Sequence, residues 1–193
     1  MPRLLEHSIK RRFAPFFLSL ALLFPSAALA GGIDLDGTPL VTSEGEEVRF
    51  SSELFSAPAT VLSFTFSGCR SSCPVSDVVM SQIAEKVQAQ SLDLALVTVT
   101  IDPLNDTPDV LIRHRDKYGF PATQTWRWLT GHPDDIANVL QRLGMTAGPL
   151  DDHPSFFLVV GRGGVSAESL LEETATPETI IETAQAMAAG IAH

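Results

Sequence analysis

Cysteine is nearly absent. Cys69 and Cys73 are the only two in 193 residues, too few for a disulfide scaffold. Positive charge is also scarce. Thirteen Lys+Arg stand against 23 Asp+Glu, a net charge of −10 at pH 7. No basic stripe occurs beyond the first twelve residues, which excludes nucleic acid as a partner, because phosphate backbones need cations. Repeats and low-complexity tracts are missing. With 45% hydrophobic and only 19% charged residues, the chain is neither disordered nor collagen-like. Its length fits one domain, or a small domain plus an appendage. After residue 30, no apolar run is long enough to span a bilayer.

What is present begins at the first residue. Met1–Arg12 carries Arg3, Lys10, Arg11 and Arg12, and Phe13–Phe24 has no charge. Ala28-Leu29-Ala30 then precedes Gly31-Gly32. This is the order of a secretory signal peptide with an A-x-A cleavage site. We expect residues 1–30 to be a cleaved signal peptide and 31–193 the mature domain. A retained membrane anchor is the alternative, but Pro15 and Pro25 interrupt the apolar run. Cleavage removes four basic residues and Glu6, leaving 9 Lys+Arg, 22 Asp+Glu and a net charge of −13. The expected location is the bacterial periplasm, with no stable membrane span. That compartment permits disulfides.

The mature chain reads as alternating strands and helices. Leu35–Phe50 suggests a hairpin-like arm. Thr60–Phe66 and Leu94–Ile101 are strand candidates rich in β-branched and aromatic residues. Between them Val75, Val79, Ile83 and Val87, with Val78 beside them, predict one apolar helix face. Thr107-Pro108-Asp109 opens a helix that Gly119 ends, with Thr107 as its cap. Trp126–Leu129 is a short strand, and Pro133–Leu143 a helix stopped by Gly144. Ser155–Val160 and Val165–Leu171 read as a hairpin around a Gly-rich turn, and Thr176-Pro177 starts a last helix. The order β-α-β-α-β-α-β-β-α predicts an α/β fold, a thioredoxin-like sandwich with an N-terminal β extension.

Cys69 and Cys73 follow the first long strand and open the first helix, within F-T-F-S-G-C-R-S-S-C-P. Ligands bind beyond the carboxyl ends of strands in open α/β sheets. A helix N-terminus favours thiolate over thiol. Two sulfurs at this spacing can reach one soft metal or close a disulfide ring. A fixed disulfide that only staples the turn is a further alternative.

Of the histidines, His114 sits in a polar helical stretch and reads as a solvated surface residue. His132 precedes Pro133 and reads as the start of a helix, and His193 is terminal. His153 differs, lying in Asp151-Asp152-His153-Pro154 directly before an apolar strand. In a thioredoxin-like sheet the loop before that strand faces the loop after the first one. His153 is therefore the candidate partner of Cys69 and Cys73.

Taken together, these pieces resemble the Sco/SenC family of copper-handling proteins. The matching segments are Gly68–Pro74 (G-C-x-x-x-C-P), Ile101–Pro108 (I-D-P-x-x-D-T-P), Trp126 or Trp128 with Leu129-Thr130-Gly131, and Asp152-His153 before a strand. The resemblance implies a thioredoxin fold with copper, Cu(I) or Cu(II), held by Cys69, Cys73 and His153. It also implies delivery of copper to the binuclear copper site of cytochrome c oxidase, or reduction of that site's thiols. Two features depart from the family pattern. Cys69-Arg70-Ser71-Ser72-Cys73 replaces Cys-Pro-Asp-x-Cys, and Pro154 follows the histidine. Arg70 would place a cation beside the thiolates and favour redox chemistry.

The donor set suits copper. Two thiolates satisfy Cu(I), and an added imidazole serves Cu(II). Structural zinc asks for four protein ligands, and three strong candidates are visible. Asp151 and Asp152 read as orienting groups for His153 or as an exposed acidic turn. Met80 falls within an apolar helix face and reads as core, as do Trp126 and Trp128.

The leading expectation is a periplasmic copper metallochaperone. Its partner would be the copper-site subunit of cytochrome c oxidase or another periplasmic copper acceptor, with a thioredoxin-like reductant as a second partner. The alternative is a thiol–disulfide oxidoreductase in which Cys69 attacks and Cys73 resolves. A peroxiredoxin-type peroxidase fits poorly, since Thr65 stands four residues before Cys69 rather than three.

Overall fold

The computed structural model describes residues 32–68, 73–145 and 156–191, apart from the side chains of Cys73 and Pro74. The expected signal segment lies outside the described residues. So do Cys69, Arg70, Asp151, Asp152, His153, Pro154 and His193.

Among the described residues, seven strands and four helices follow the expected order. They are β1 (Pro39–Thr42), β2 (Glu47–Arg49), β3 (Ala59–Thr65), α1 (Cys73–Gln90), β4 (Leu94–Thr100) and α2 (Pro108–Tyr118), then β5 (Trp126–Thr130), α3 (Pro133–Arg142), β6 (Phe156–Gly161), β7 (Ala167–Leu171) and α4 (Pro177–Ala188). One sheet runs β2-β1-β5-β4-β3-β6-β7. β3, β4 and β5 are parallel neighbours, and β6 runs antiparallel to β3. The β1–β2 hairpin extends the sheet by pairing antiparallel with β5. It is the predicted N-terminal extension.

The centre of the sheet is covered on both faces, so β3 is buried at every position. Alternation along the strands splits the core in two. Val61, Leu96, Trp128 and Phe157 pack against α1, α2 and α4 through Met80, Ile83, Leu111 and Ile180. Leu62, Val97, Leu129 and Leu158 face Phe50, Phe55 and α3 on the other side. Each fully buried Leu, Ile or Phe contributes about 1.5–3 kcal/mol, and this double core is what fixes the strand ends.

Helix ends follow their local chemistry. Thr176 caps α4 in a capping box: its hydroxyl accepts the Thr179 N–H, and the Thr179 hydroxyl accepts the Thr176 N–H. The His132 Nδ1 accepts the Asp134 N–H at 3.4 Å at the start of α3, as its position before Pro133 suggested. Thr107 occupies the cap position of α2, but its side chain makes no capping bond there. Gly119 closes α2 with φ 69°, a left-handed conformation that suits glycine.

One helix departs from expectation. On α1, Ile83 and Val87 are buried as the period predicted, but Val75 is 52% and Val78 44% exposed. The buried face begins instead at Ser76 and Asp77 and continues through Met80 and Ala84. Met80 and both tryptophans are core, as read from the sequence.

Candidate functional site

Parallel β3, β4 and β5 deliver their carboxyl ends to one edge of the sheet. β6 begins at the same edge. Leu62 pairs with Leu158 in antiparallel register, and the Phe64 and Phe156 rings lie 5.1 Å apart. β7 ends there too, with Leu171 opposite Phe156. The edge therefore collects the β3–α1 connection, the β4–α2 loop and the segment leading into β6.

Of the predicted site residues, the backbone of Cys73 is described and is the first residue of α1. Cys69 belongs to the β3–α1 connection, and His153 precedes β6 by three positions. The placement of Cys69 and His153 lies outside the described residues. Among the described residues, no group of three His, Cys, Asp or Glu side chains is placed to hold a metal ion.

The foot of this edge is built from two fully buried carboxylates. Asp106, the second aspartate of the I-D-P-x-x-D-T-P segment, accepts the Ser67 N–H on Oδ1 at 3.1 Å and on Oδ2 at 3.2 Å. The Thr100 hydroxyl donates to its Oδ2 at 2.5 Å. The same hydroxyl accepts the Asp102 N–H at 3.0 Å, and the Ile101 N–H donates to the Thr65 carbonyl at 2.9 Å. The β4–α2 loop is thereby tied to the chain just ahead of Cys69. Its conformation is set by charge-assisted bonds, which are stronger than neutral ones.

Asp77 is the second carboxylate. Its Oδ2 takes a hydrogen bond from the Thr65 hydroxyl at 3.0 Å and lies 2.9 Å from His114 Nε2. Its Oδ1 is buried and has no partner among the described residues. Burial pushes the Asp77 carboxyl above its ordinary range, and the negative charge of Asp106 adds to this. The bonds to His114 and Thr65 oppose it.

His114 corrects the sequence reading. It is not on the surface: its side chain is 5% exposed, paired with Asp77 and ringed by Tyr118, Phe120 and Trp128. Charged neighbours in sequence gave the stretch a polar look. The residue itself faces inward because α2 packs over the aromatic cluster where β5 supplies Trp126 and Trp128, 5.0 Å apart.

Asp77 and Asp106 were not recognised as site residues from sequence. A signal for Asp77 was available, since it lies in phase with Met80, Ala84 and Val87 on the buried stripe. A charge on such a stripe needs a partner. Beside it, the Ser76 hydroxyl donates to Glu172 Oε2 at 2.7 Å, pinning the first turn of α1 to the end of β7.

Comparison with known proteins agrees with this architecture. The SCO1/SenC family model matches residues 39–189. A SCO2-like protein of Rickettsia felis is 28% identical over 153 residues, covering 74% of this chain and 72% of the relative. BsSco, a member of the Sco family of cytochrome c oxidase assembly proteins with a disulfide switch, superposes with a TM-score of 0.70 at 22% identity, covering 84% of this chain and 96% of that one. Copper-bound ScoI of Bradyrhizobium japonicum superposes with a TM-score of 0.63 at 19% identity, covering 79% and 96%. The fold is thioredoxin-like, as predicted.

Proposed function

This chain belongs to the SCO1/SenC family, and from that premise we propose that it is a periplasmic copper carrier for the assembly of cytochrome c oxidase. Residues 1–30 are the export signal, and the mature domain works outside the cytoplasm. Among the described residues no helix is long and apolar enough to cross a membrane.

In this reading copper is cargo, held by the Cys69 and Cys73 thiolates and the His153 imidazole. The observation that carries it is the position of Cys73 as the first residue of α1, at the edge where β3 ends and β6 begins. Unsatisfied N–H groups at a helix start stabilise a thiolate. Two soft sulfurs favour Cu(I), and the imidazole allows Cu(II). A copper-bound ScoI shares the fold, which supports the metal assignment. The acceptor is the copper-site subunit of the oxidase. An acidic mature chain would favour docking on a basic surface.

The same helix start favours a second reading, thiol–disulfide exchange, which a disulfide switch in BsSco also supports. Cys69 thiolate would attack a partner disulfide and expel one partner sulfur as thiolate. Cys73 thiolate would then attack Cys69, closing the intramolecular disulfide and releasing the second partner thiolate.

Anaerobic titration of the reduced mature chain with Cu(I), then Cu(II), tests the carrier reading. The expected result is one-to-one binding, with a thiolate-to-Cu(II) charge-transfer band that His153→Ala abolishes or shifts strongly. Lack of tight one-to-one binding, together with fast exchange with a reduced thioredoxin, would move the function to thiol exchange. His153→Ala should leave that exchange largely intact.

A further inference from the structure

We propose that Tyr118 is the outlet of a radical relay: an electron vacancy created on buried Trp126 or Trp128 by a one-electron oxidant passes to the Tyr118 phenol at the surface. The inference goes beyond the copper reading and does not depend on the cysteine pair.

The chain has two tryptophans and one tyrosine, and all three meet in one cluster. Trp126 and Trp128, both on β5, lie 5.0 Å apart between ring centres. Two rings bridge Trp128 to Tyr118. His114 lies 5.8 Å from Trp128 and 5.0 Å from Tyr118. Phe120 stacks on Trp128 at 6.3 Å and on Tyr118 at 5.6 Å. Both indoles are buried, whereas Tyr118 is 42% exposed. The cluster thus runs from the core to solvent.

Packing accounts for the rings but not for the protons. A tryptophan that loses an electron becomes a radical cation, which is neutralised only if its N–H proton finds an acceptor. Trp128 Nε1 is buried with no hydrogen-bond partner among the described residues, although a buried indole usually has one. Trp126 Nε1 donates to the Thr98 hydroxyl at 2.9 Å, and that hydroxyl is bonded to Ser63. A hydroxyl is a poor base. The vacancy therefore stays on the indoles as a positive charge among apolar groups, which is unfavourable.

Tyr118 has what the indoles lack, water to take its proton. It gives one electron to the tryptophan radical cation and its phenol proton to solvent. The products are a neutral indole and a neutral phenoxyl radical. The Lys117 ammonium donates to the Tyr118 hydroxyl at 3.5 Å and lies 4.9 Å from the ring centre. Its charge opposes a tyrosine radical cation but not a neutral phenoxyl, so the electron and proton leave together. The relay protects the fold. Trp128 is among the largest fully buried side chains, and oxidative opening of its ring would put unpaired polar groups into the core.

The test is laser ionisation of the tryptophans in the purified protein, at a wavelength that tyrosine does not absorb, with hexaamminecobalt(III) taking up the ejected electron. The tryptophan-radical absorption should decay as the tyrosyl-radical band rises, at a rate independent of protein concentration. With one tyrosine in the chain, that band reports on Tyr118 alone. Tyr118→Phe keeps the ring and should prolong the tryptophan radical. Under a sustained flux of azide radicals, peptide mass spectrometry should find oxidation mainly on Tyr118 in the parent and on Trp126 and Trp128 in Tyr118→Phe. A tryptophan radical that decays with no tyrosyl rise, or a transfer rate that scales with protein concentration, would overturn the proposal. Equal tryptophan oxidation in parent and variant would do the same and leave the cluster as packing alone.

Discussion

Asp106 receives the Ser67 N–H on both carboxylate oxygens, a link across 39 residues of sequence that joins the loop after β4 to the approach to Cys69. The Thr100 hydroxyl bonds the same carboxylate, so two donors depend on it. Asp106→Ala strands both, and leaving a buried donor without an acceptor costs about 1–3 kcal/mol. Asp106→Asn offers one acceptor and one amide donor, so it should lose less than the alanine variant. Urea unfolding monitored by far-UV circular dichroism gives both values. Equal losses in the two variants would mean that volume, not hydrogen bonding, is what Asp106 supplies.

Two positions on α1 make opposite predictions. Ile83→Ala removes a fully buried side chain from the main core and should destabilise the domain by about 2–5 kcal/mol. Val75→Ala acts on a half-exposed position and should stay within about 0.5 kcal/mol. Helical period alone puts Val75 and Ile83 on one stripe and predicts similar costs. Chemical denaturation of the two single variants separates the readings, and a loss above about 2 kcal/mol for Val75→Ala would contradict the observed burial.

That contrast shows where sequence was sufficient. β3 and β4 were legible because a strand covered on both faces is almost all apolar or β-branched. α2, α3 and α4 were legible because each begins with proline after a residue that suits the cap position. Period failed at the first turn of α1. There the helix reaches the sheet edge, and the inward-facing residues are Ser76 and Asp77, each with a distant polar partner. His114 failed for the same reason. Its partner Asp77 lies 37 residues away, and no local pattern reports a contact at that range. The candidate ligands were read from motif and order, signals that do not depend on burial.

Capping offers a smaller, cleaner measurement. Thr176 and Thr179 satisfy each other's backbone N–H groups at the start of α4. The helix packs Ile180 and Ala184 into the core beside α1. Thr176→Ala should cost about 1 kcal/mol, while Thr176→Ser and Thr176→Asp should retain most of the stability. The comparison is read from urea midpoints at constant slope. If alanine matched serine, the cap would be contributing nothing that solvent does not.

The last prediction concerns acid and the arm that precedes β1. Asp36 accepts bonds from the Thr38 hydroxyl and N–H and from the Asn138 amide, and lies 3.1 Å from the Arg142 guanidinium. The Thr38 hydroxyl contributes most, followed by Asn138, and together these contacts hold the Asp36 carboxyl down at about 2. A carboxyl whose pKa is lower in the folded state than in the unfolded chain stabilises the fold at pH values above its unfolded pKa. That stabilisation is lost as pH falls toward the folded value. Asp36 should therefore stabilise the arm fully above about pH 4 to 5, with the contribution fading as pH approaches 2. Asp36→Asn should be less stable than the parent at pH 6, and the gap should narrow steadily between pH 4 and pH 2.5. Because Arg142 also pairs with Asp34, the variant should keep the arm docked at pH 6, which the Arg142 side-chain NMR signals would report. A gap that stayed constant from pH 6 to pH 2.5 would assign the loss to altered shape and remove the carboxylate's charge from the account.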